Sequence, residues 1–306
     1  MRAFVFPGQG SQTVGMLADL ATEYPQIEQT FAEASEALGY DLWELVQQGP
    51  SEKLNETQRT QPALLTASVA IYRVIEAQGV PAPEWLAGHS LGEYSALVCS
   101  GAMDFADAVR LVAKRGALMQ EAVPAGVGAM AAIIGLDDAL VEEACAAAAG
   151  DQVVSAVNFN SPGQVVIAGH AEAVERAGEA CKEAGAKRAL PLPVSVPSHC
   201  ALMQPAAEKL AVELGKITLR TPNIPVVNNV DVSVEREADA IRDALVRQLY
   251  SPVRWTETIQ YLAKQGVTEL YEIGPGKVLS GLTKRIDKAL QSDAINTIES
   301  IQKVQS

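Results

Sequence analysis

The 306-residue sequence predicts an α/β protein in two parts, a large unit interrupted by a smaller one. Three observations carry that expectation. The chain opens as strand, loop and helix; a Gly-x-Ser-x-Gly pentapeptide lies at a strand-to-helix junction; and residues 127–194 alternate as strand, helix, strand, strand, helix, strand.

Residues 3–6 (AFVF) form a short apolar run closed by Pro7-Gly8 and followed by a helix from Ser11. Helical periodicity recurs through 26–38, 41–48 and 62–77, with Pro62 suited to a first turn and Gly79 just past the end. Leu86 and Ala87 lead into GHSLG, residues 88–92, and 91–100 reads as a helix. Asp104 can cap the next helix, with Asp107 three residues on. Ala108, Leu111, Val112, Leu118 and Met119 mark that helix's buried stripe, and Arg115 falls on it.

From 127 the pattern reads strand 127–134, helix 137–149, strand 152–159, turn Asn160-Ser161-Pro162-Gly163, strand 164–168, helix 171–185 and strand 187–194. That βαββαβ order is the ferredoxin-like arrangement, self-contained at about 70 residues. After Pro197 come helix 203–214, strand 225–228, helices 236–248 and 254–265, strand 268–273, and a Gly274-Pro275-Gly276 turn into helix 277–289. The expected organisation is a discontinuous large domain, 1–124 plus 197–306, with 125–196 inserted as the small domain. The run ACAAAAG at 144–150 reads as helix, since alanine is the strongest helix former.

Bulk properties narrow the function classes. Forty-eight per cent hydrophobic and 20% charged residues describe a globular chain. A formal charge of -13 repels phosphate backbones and anionic lipid, so neither nucleic acid nor a membrane is expected as a partner. Cys99, Cys145, Cys181 and Cys200 are widely spaced, which indicates neither a zinc site nor a disulfide framework and fits a reducing cytoplasm. MRAFVFPGQG breaks too early for a signal peptide, and the longest apolar stretch, ALLTASVAIY at 63–72, falls short of a bilayer span. The expected location is the cytoplasm.

Gly-x-Ser-x-Gly carries chemistry where a tight, sparsely populated backbone geometry, permitted by small neighbours, lifts the serine hydroxyl out of a sheet. In isolation Ser90 reads equally as an ordinary helix-start serine. A nucleophilic serine needs a base, and the chain has three histidines. His89 adjoins Ser90 and should point away; His170 opens a helix of the inserted unit and should be solvated. His199, on the loop VPSH where the chain re-enters the large unit, is left.

Arg115 must be paired, because an unpaired desolvated guanidinium costs several kcal/mol, roughly, even after relaxation. Its partner is an internal Asp or Glu, or a substrate carboxylate gripped by its planar fork of donors. The loop PGQGS at 7–11 lacks the spacing of the nucleotide-binding fingerprints. The amide of Gln9 could instead join that of Leu91 in an oxyanion hole.

FPGQGSQ (6–12), QPAL (61–64), GHSLGE (88–93), KRGALMQ (114–120), VPSH (196–199) and EIGPGKVLSGL (272–282) together resemble the malonyl-CoA:acyl carrier protein transacylases of bacterial type II fatty acid synthesis. The resemblance implies an α/β-hydrolase-like large domain with an inserted ferredoxin-like small domain. It also implies roles. Ser90 would carry the malonyl ester, His199 would serve as base and then acid, and the backbone carbonyl at Gln248 would orient that histidine. The N–H groups of Gln9 and Leu91 would form the oxyanion hole, Arg115 would bind the malonyl carboxylate, and Gln61, Met119 and Asn160 would line the acyl pocket.

No permanently bound cofactor and no metal are implied. The substrates would be malonyl-CoA and phosphopantetheinylated acyl carrier protein, and a monomer is expected. Carrier proteins are generally acidic, so docking on this acidic chain requires a local basic patch such as Lys187, Arg188, Lys284, Arg285 and Lys288, on the small-domain rim and the last helix. Two other classes fit some of the residues: a serine esterase or thioesterase using the same Ser90 and His199, and a non-catalytic phosphate-binding module using the PGQGS and GPGK loops.

Overall fold

The computed structural model describes residues 1–306, and the strand that opens the chain lies at the middle of its larger sheet. Strand β1 (Arg2–Phe6) buries Ala3, Phe4, Val5 and Phe6, the pattern of a strand covered on both faces. The expected helix at Ser11 does not form. Residues 11–17 turn instead, because the Gly15 N–H is drawn 2.8 Å to the Val46 carbonyl and Gly15 and Leu17 take positive φ. Helix α1 (Ala18–Glu23) therefore starts late, followed by α2 (Pro25–Leu38), α3 (Leu42–Gln48) and the one-turn α4 (Ser51–Leu54), too short to show a periodicity.

Helix α5 (Thr57–Ala77) starts five residues earlier than expected, so Pro62 lies inside it rather than in its first turn. The missing N–H leaves the Gln58 carbonyl without its helical donor. Burial around most of the helix, from Gln61 to Tyr72, offsets that loss. Strand β2 (Trp85–Gly88) pairs in parallel with β1, Phe6 opposite Gly88. It leads into α6 (Gly92–Cys99) and α7 (Phe105–Ala122), where Asp104 caps through the Asp107 N–H and the anticipated stripe, Arg115 included, is buried.

The smaller sheet follows: β3 (Gly128–Ile134), α8 (Asp138–Ala149), β4 (Val154–Ser161), β5 (Gln164–His170), α9 (Ala171–Glu183) and β6 (Arg188–Pro191). Its four strands are antiparallel in the order β4-β5-β3-β6, the ferredoxin-like order. Ile133, Val141, Val154, Ile167, Val174 and Cys181 belong to an apolar core of its own. The β4–β5 turn is tighter than expected, so Asn160 lies on the strand, at a register shift between Phe159 and Ser161. Strand β6 stops at Pro191, because Pro191 and Pro193 cannot donate to a ladder.

The chain then returns through a 3₁₀ turn (Ala201–Met203), α10 (Gln204–Leu214), β7 (Val226–Val227), α11 (Ala238–Gln248), α12 (Trp255–Lys264), β8 (Glu269–Ile273), α13 (Val278–Ile286), β9 (Gln291–Ile295) and α14 (Ile298–Gln305). The expected helix 277–289 ends at Ile286, and β9 and α14 beyond it were not anticipated. Lys284 and Arg285 are therefore on the penultimate helix, and Lys288 is past its end. The larger sheet is wholly parallel in the order β7-β2-β1-β8-β9. The protein is thus a large α/β domain plus a small antiparallel one. No helix is long and apolar enough to cross a membrane.

Candidate active site

The loops leaving β1 and β2 converge at the carboxyl ends of the parallel strands, where ligands bind in open α/β sheets. Their approach is close enough to dictate residue type. A Cβ on Gly88 would sit 1.9 Å from the Gly92 carbonyl carbon, one on Gly92 2.1 Å from the Phe6 oxygen, and one on Gly8 2.6 Å from the His89 oxygen. Only glycine fits. Between them Ser90 is held at φ 54°, a strained geometry that presents its hydroxyl at the sheet edge.

Asn229, following β7, fixes this turn from below. Its Oδ1 accepts the Ser90 N–H at 2.8 Å and its Nδ2 donates to the Gly88 carbonyl at 2.7 Å. The Ser90 N–H is thereby consumed within the protein. The backbone N–H groups of Gln9 and Leu91, by contrast, donate to nothing else in the chain. Two free amides beside a raised hydroxyl can bind an oxyanion.

His199 is buried, also at positive φ, with Nε2 2.7 Å from Ser90 Oγ and Nδ1 2.7 Å from the Gln248 carbonyl oxygen. A carbonyl only accepts, so Nδ1 carries the proton and Nε2 is left to receive the serine hydroxyl. Burial foremost, and the Arg115 charge second, push the imidazole pKa down to about 3. The ring is neutral at physiological pH, with the Nε2 lone pair directed at the Ser90 hydroxyl.

The other histidines are engaged elsewhere. His89 Nε2 lies 2.7 Å from Asn160 Oδ1, and its ring packs beside Trp255 with centroids 5.4 Å apart. His170, expected in solvent, is half-buried and accepts the Val153 N–H at 2.9 Å.

Arg115 is fully buried. Nη1 donates to Gln61 Oε1 at 2.8 Å, and Nη2 to Gln248 Oε1 at 3.0 Å and to Ser90 Oγ at 3.4 Å. All three acceptors are neutral, so the internal ion pair considered from the sequence is absent. Nε has no partner, and the guanidinium lies over the Tyr94 ring, 5.3 Å from its centroid. Burial lowers its pKa. A buried guanidinium bonded only to neutral groups keeps the capacity to pair with a carboxylate brought in from outside.

Gln61 Nε2 donates to Thr57 Oγ1 at 3.0 Å and contacts Met119 Sδ at 3.4 Å, while the exposed Gln9 side chain reaches the same Thr57 hydroxyl at 2.9 Å. Ser90, His199, Gln248, Arg115, Gln61, Met119, Gln9 and Leu91 thus form one connected cluster. Asn160 joins through His89. No group of three or more His, Cys, Asp or Glu side chains is arranged to hold a metal ion.

Sequence reasoning missed Asn229 and Glu93. Glu93 is buried in the first turn of α6, and its Oε1 accepts the Asn229 N–H at 2.8 Å. Burial drives its pKa up to about 7, against the pull of the Asn229 hydrogen bond, Gln248 and Arg115. The available signal was a polar Asn228-Asn229 pair ending an apolar strand, and a carboxylate in the otherwise uncharged helix GEYSALVC.

A parallel sheet with a strained serine, a neutral histidine and a free pair of amides at its carboxyl edge defines a serine acyltransferase or hydrolase. Residues 3–305 match the family described as acyl transferase domain, and the chain belongs to that family. It is 74% identical, over 96% of its length and 95% of the relative's, to the protein named malonyl CoA-acyl carrier protein transacylase in Escherichia coli (strain K12). An acyl carrier protein S-malonyltransferase crystal structure from Vibrio cholerae matches at 66% identity, TM-score 0.97 and 99% coverage of both chains. A structure described as a type II polyketide synthase acyl-carrier protein in complex with its malonyl-transacylase matches at TM-score 0.99 and 66% identity, covering 99% of this chain and 98% of that one.

Proposed function

We infer that the protein is a malonyl-CoA:acyl carrier protein S-malonyltransferase working through a malonyl-Ser90 ester. Ser90 Oγ attacks the thioester carbonyl carbon as His199 Nε2 takes its proton, and the oxyanion is received by the N–H groups of Gln9 and Leu91. The C–S bond breaks and the imidazolium returns the proton to the departing CoA sulfur. The phosphopantetheine thiol of the carrier protein then enters by the reverse path: His199 accepts its proton, the sulfur attacks the ester, and Ser90 recovers its hydroxyl. Arg115 faces the malonyl carboxylate throughout, with Gln61, Met119 and Asn160 around the acyl group and the Gln248 carbonyl behind His199.

The observation that carries this reading is the fully buried Arg115, 3.4 Å from Ser90 Oγ and bonded only to neutral groups. A hydrolase of simple acyl groups has no use for such a cation. Intact mass after brief mixing with malonyl-CoA tests it. A lasting malonyl adduct on Ser90 is expected; free malonate with a fleeting adduct would mark a thioesterase, and no adduct a non-catalytic module.

We further propose a monomer in the cytoplasm, with domains at 1–124 plus 197–306 and at 125–196. The small unit's own apolar core supports that division, with Met130, Val157, Val166 and Ala168 packing against Cys200 where the two units meet. Light scattering should give a single species near 32.4 kDa. Carrier docking is assigned to the exposed Lys187, Arg188, Lys284, Arg285 and Lys288. If charge reversal at Lys284 and Arg285 left the carrier KM unchanged at low salt, that patch would be the wrong one.

A further inference from the structure

Gln248 meets the site through two separate groups. Its backbone carbonyl receives the His199 Nδ1–H, a task open to any residue type at that position. Its side chain does something different. The amide oxygen accepts Arg115 Nη2 at 3.0 Å, while Nε2 donates to the Ser90 carbonyl at 3.0 Å and faces Glu93 Oε1 and Asn229 Oδ1, each at 3.4 Å. Turning the amide over would set its NH₂ against a guanidinium and its oxygen against three acceptors. One orientation is therefore imposed.

Gln61 mirrors this on Nη1, its own NH₂ tied to the Thr57 hydroxyl. Each terminal nitrogen of Arg115 is thus held by an amide oxygen that cannot rotate away. A neutral acceptor aims the guanidinium without cancelling its charge, whereas an internal carboxylate would do both.

We propose that the Gln248 side chain is a specificity-determining positioning residue: it keeps the Arg115 fork charged and aimed at the acyl group on Ser90, and so sets the preference for acyl groups ending in a carboxylate. This rests on the reading of Arg115 as the partner of that carboxylate.

The test is the ratio of Ser90 acylation rates from malonyl-CoA and acetyl-CoA, measured in single turnovers by intact mass. Gln248→Met keeps the backbone carbonyl and roughly the side-chain volume but removes the acceptor, and the ratio should fall about ten- to hundredfold. Gln248→Glu should lower it further, because its carboxylate neutralises Nη2; should Gln248→Met not fold, this variant decides alone. A merely structural role would move both rates together, so an unchanged ratio overturns the proposal. It is equally overturned if labelling of Ser90 by a fluorophosphonate falls in step with malonyl acylation, which would place the effect on the Ser90–His199 pair. Arg115→Met separates the two layers. If it leaves the ratio unchanged, the underlying reading of Arg115 fails. If it lowers the ratio and the Gln248 variants do not, only the present inference falls.

Discussion

The two sheets of this molecule bury very different interiors. The antiparallel sheet encloses a core of Val, Ile, Ala, Leu and Cys, and Ser161 is the one polar side chain buried in its domain. The carboxyl edge of the parallel sheet encloses Gln61, Glu93, Arg115, His199, Asn229 and Gln248, each under 4% exposed, around a serine at φ 54°. One region obeys the ordinary rules of packing and the other breaks several at once. The cost of desolvating those polar groups is tolerated only because nearly every one has a hydrogen-bond partner, and reactivity is concentrated where the exceptions lie.

Five substitutions probe that contrast, taken in descending order of effect. Ser90→Ala should lower malonyl transfer by about 10⁴-fold or more and abolish the mass adduct, while leaving the apolar cores untouched. Gly92→Ala should destabilise by about 4 kcal/mol or more in urea titration, since its Cβ would lie 2.1 Å from the Phe6 oxygen, which is backbone and cannot step aside. Arg115→Ala should remove about 2–5 kcal/mol of transition-state stabilisation for malonyl, with a smaller loss for acetyl. Equal losses for both acyl groups in steady-state kcat/KM would refute its role.

Glu93→Gln probes the buried polar side by pH. The folded carboxyl keeps its proton up to about pH 7, where the unfolded one releases it around 4.5. Between those values the folded state binds more protons, so stability falls as pH rises through the window and the penalty is complete above it. The variant should therefore exceed the parent above pH 7, by on the order of 3 kcal/mol, with the gap closing towards pH 4.5. A gap independent of pH would show that Glu93 is not the titrating group. Gly178→Ala, on helix α9 of the small domain, is the counterpart to Gly92. Its nearest contact would be the Ala189 Cβ at 3.5 Å, and a gain of about 0.4–1 kcal/mol is expected in the same titration.

The same contrast explains what could be read ahead of the structure. Apolar runs and helical stripes are local, so β1, the order of the small sheet and the position of Arg115 on α7 were visible directly. The GHSLG glycines were visible too, because close backbone approach demands a residue type. Strand β9 was not, since QSDAI lacks both alternation and an apolar run, and the start of α5 was displaced because burial overrode the signal of Pro62. Asn229 acts on Ser90 across 139 positions, which no local pattern reports. The Gln248 contribution to His199 comes from a carbonyl, which leaves no trace in residue type; it was reached only through resemblance.

That carbonyl has a further consequence on the proposed roles. An uncharged dipole behind the ring stabilises a transient imidazolium less than a buried anion would, so the proton is surrendered readily to whichever sulfur is present. Both thioesters join the same acyl group to the same kind of thiol, so the exchange is close to balanced, and the direction of net transfer is left to the ratio of the two thioesters and the two free thiols taken together.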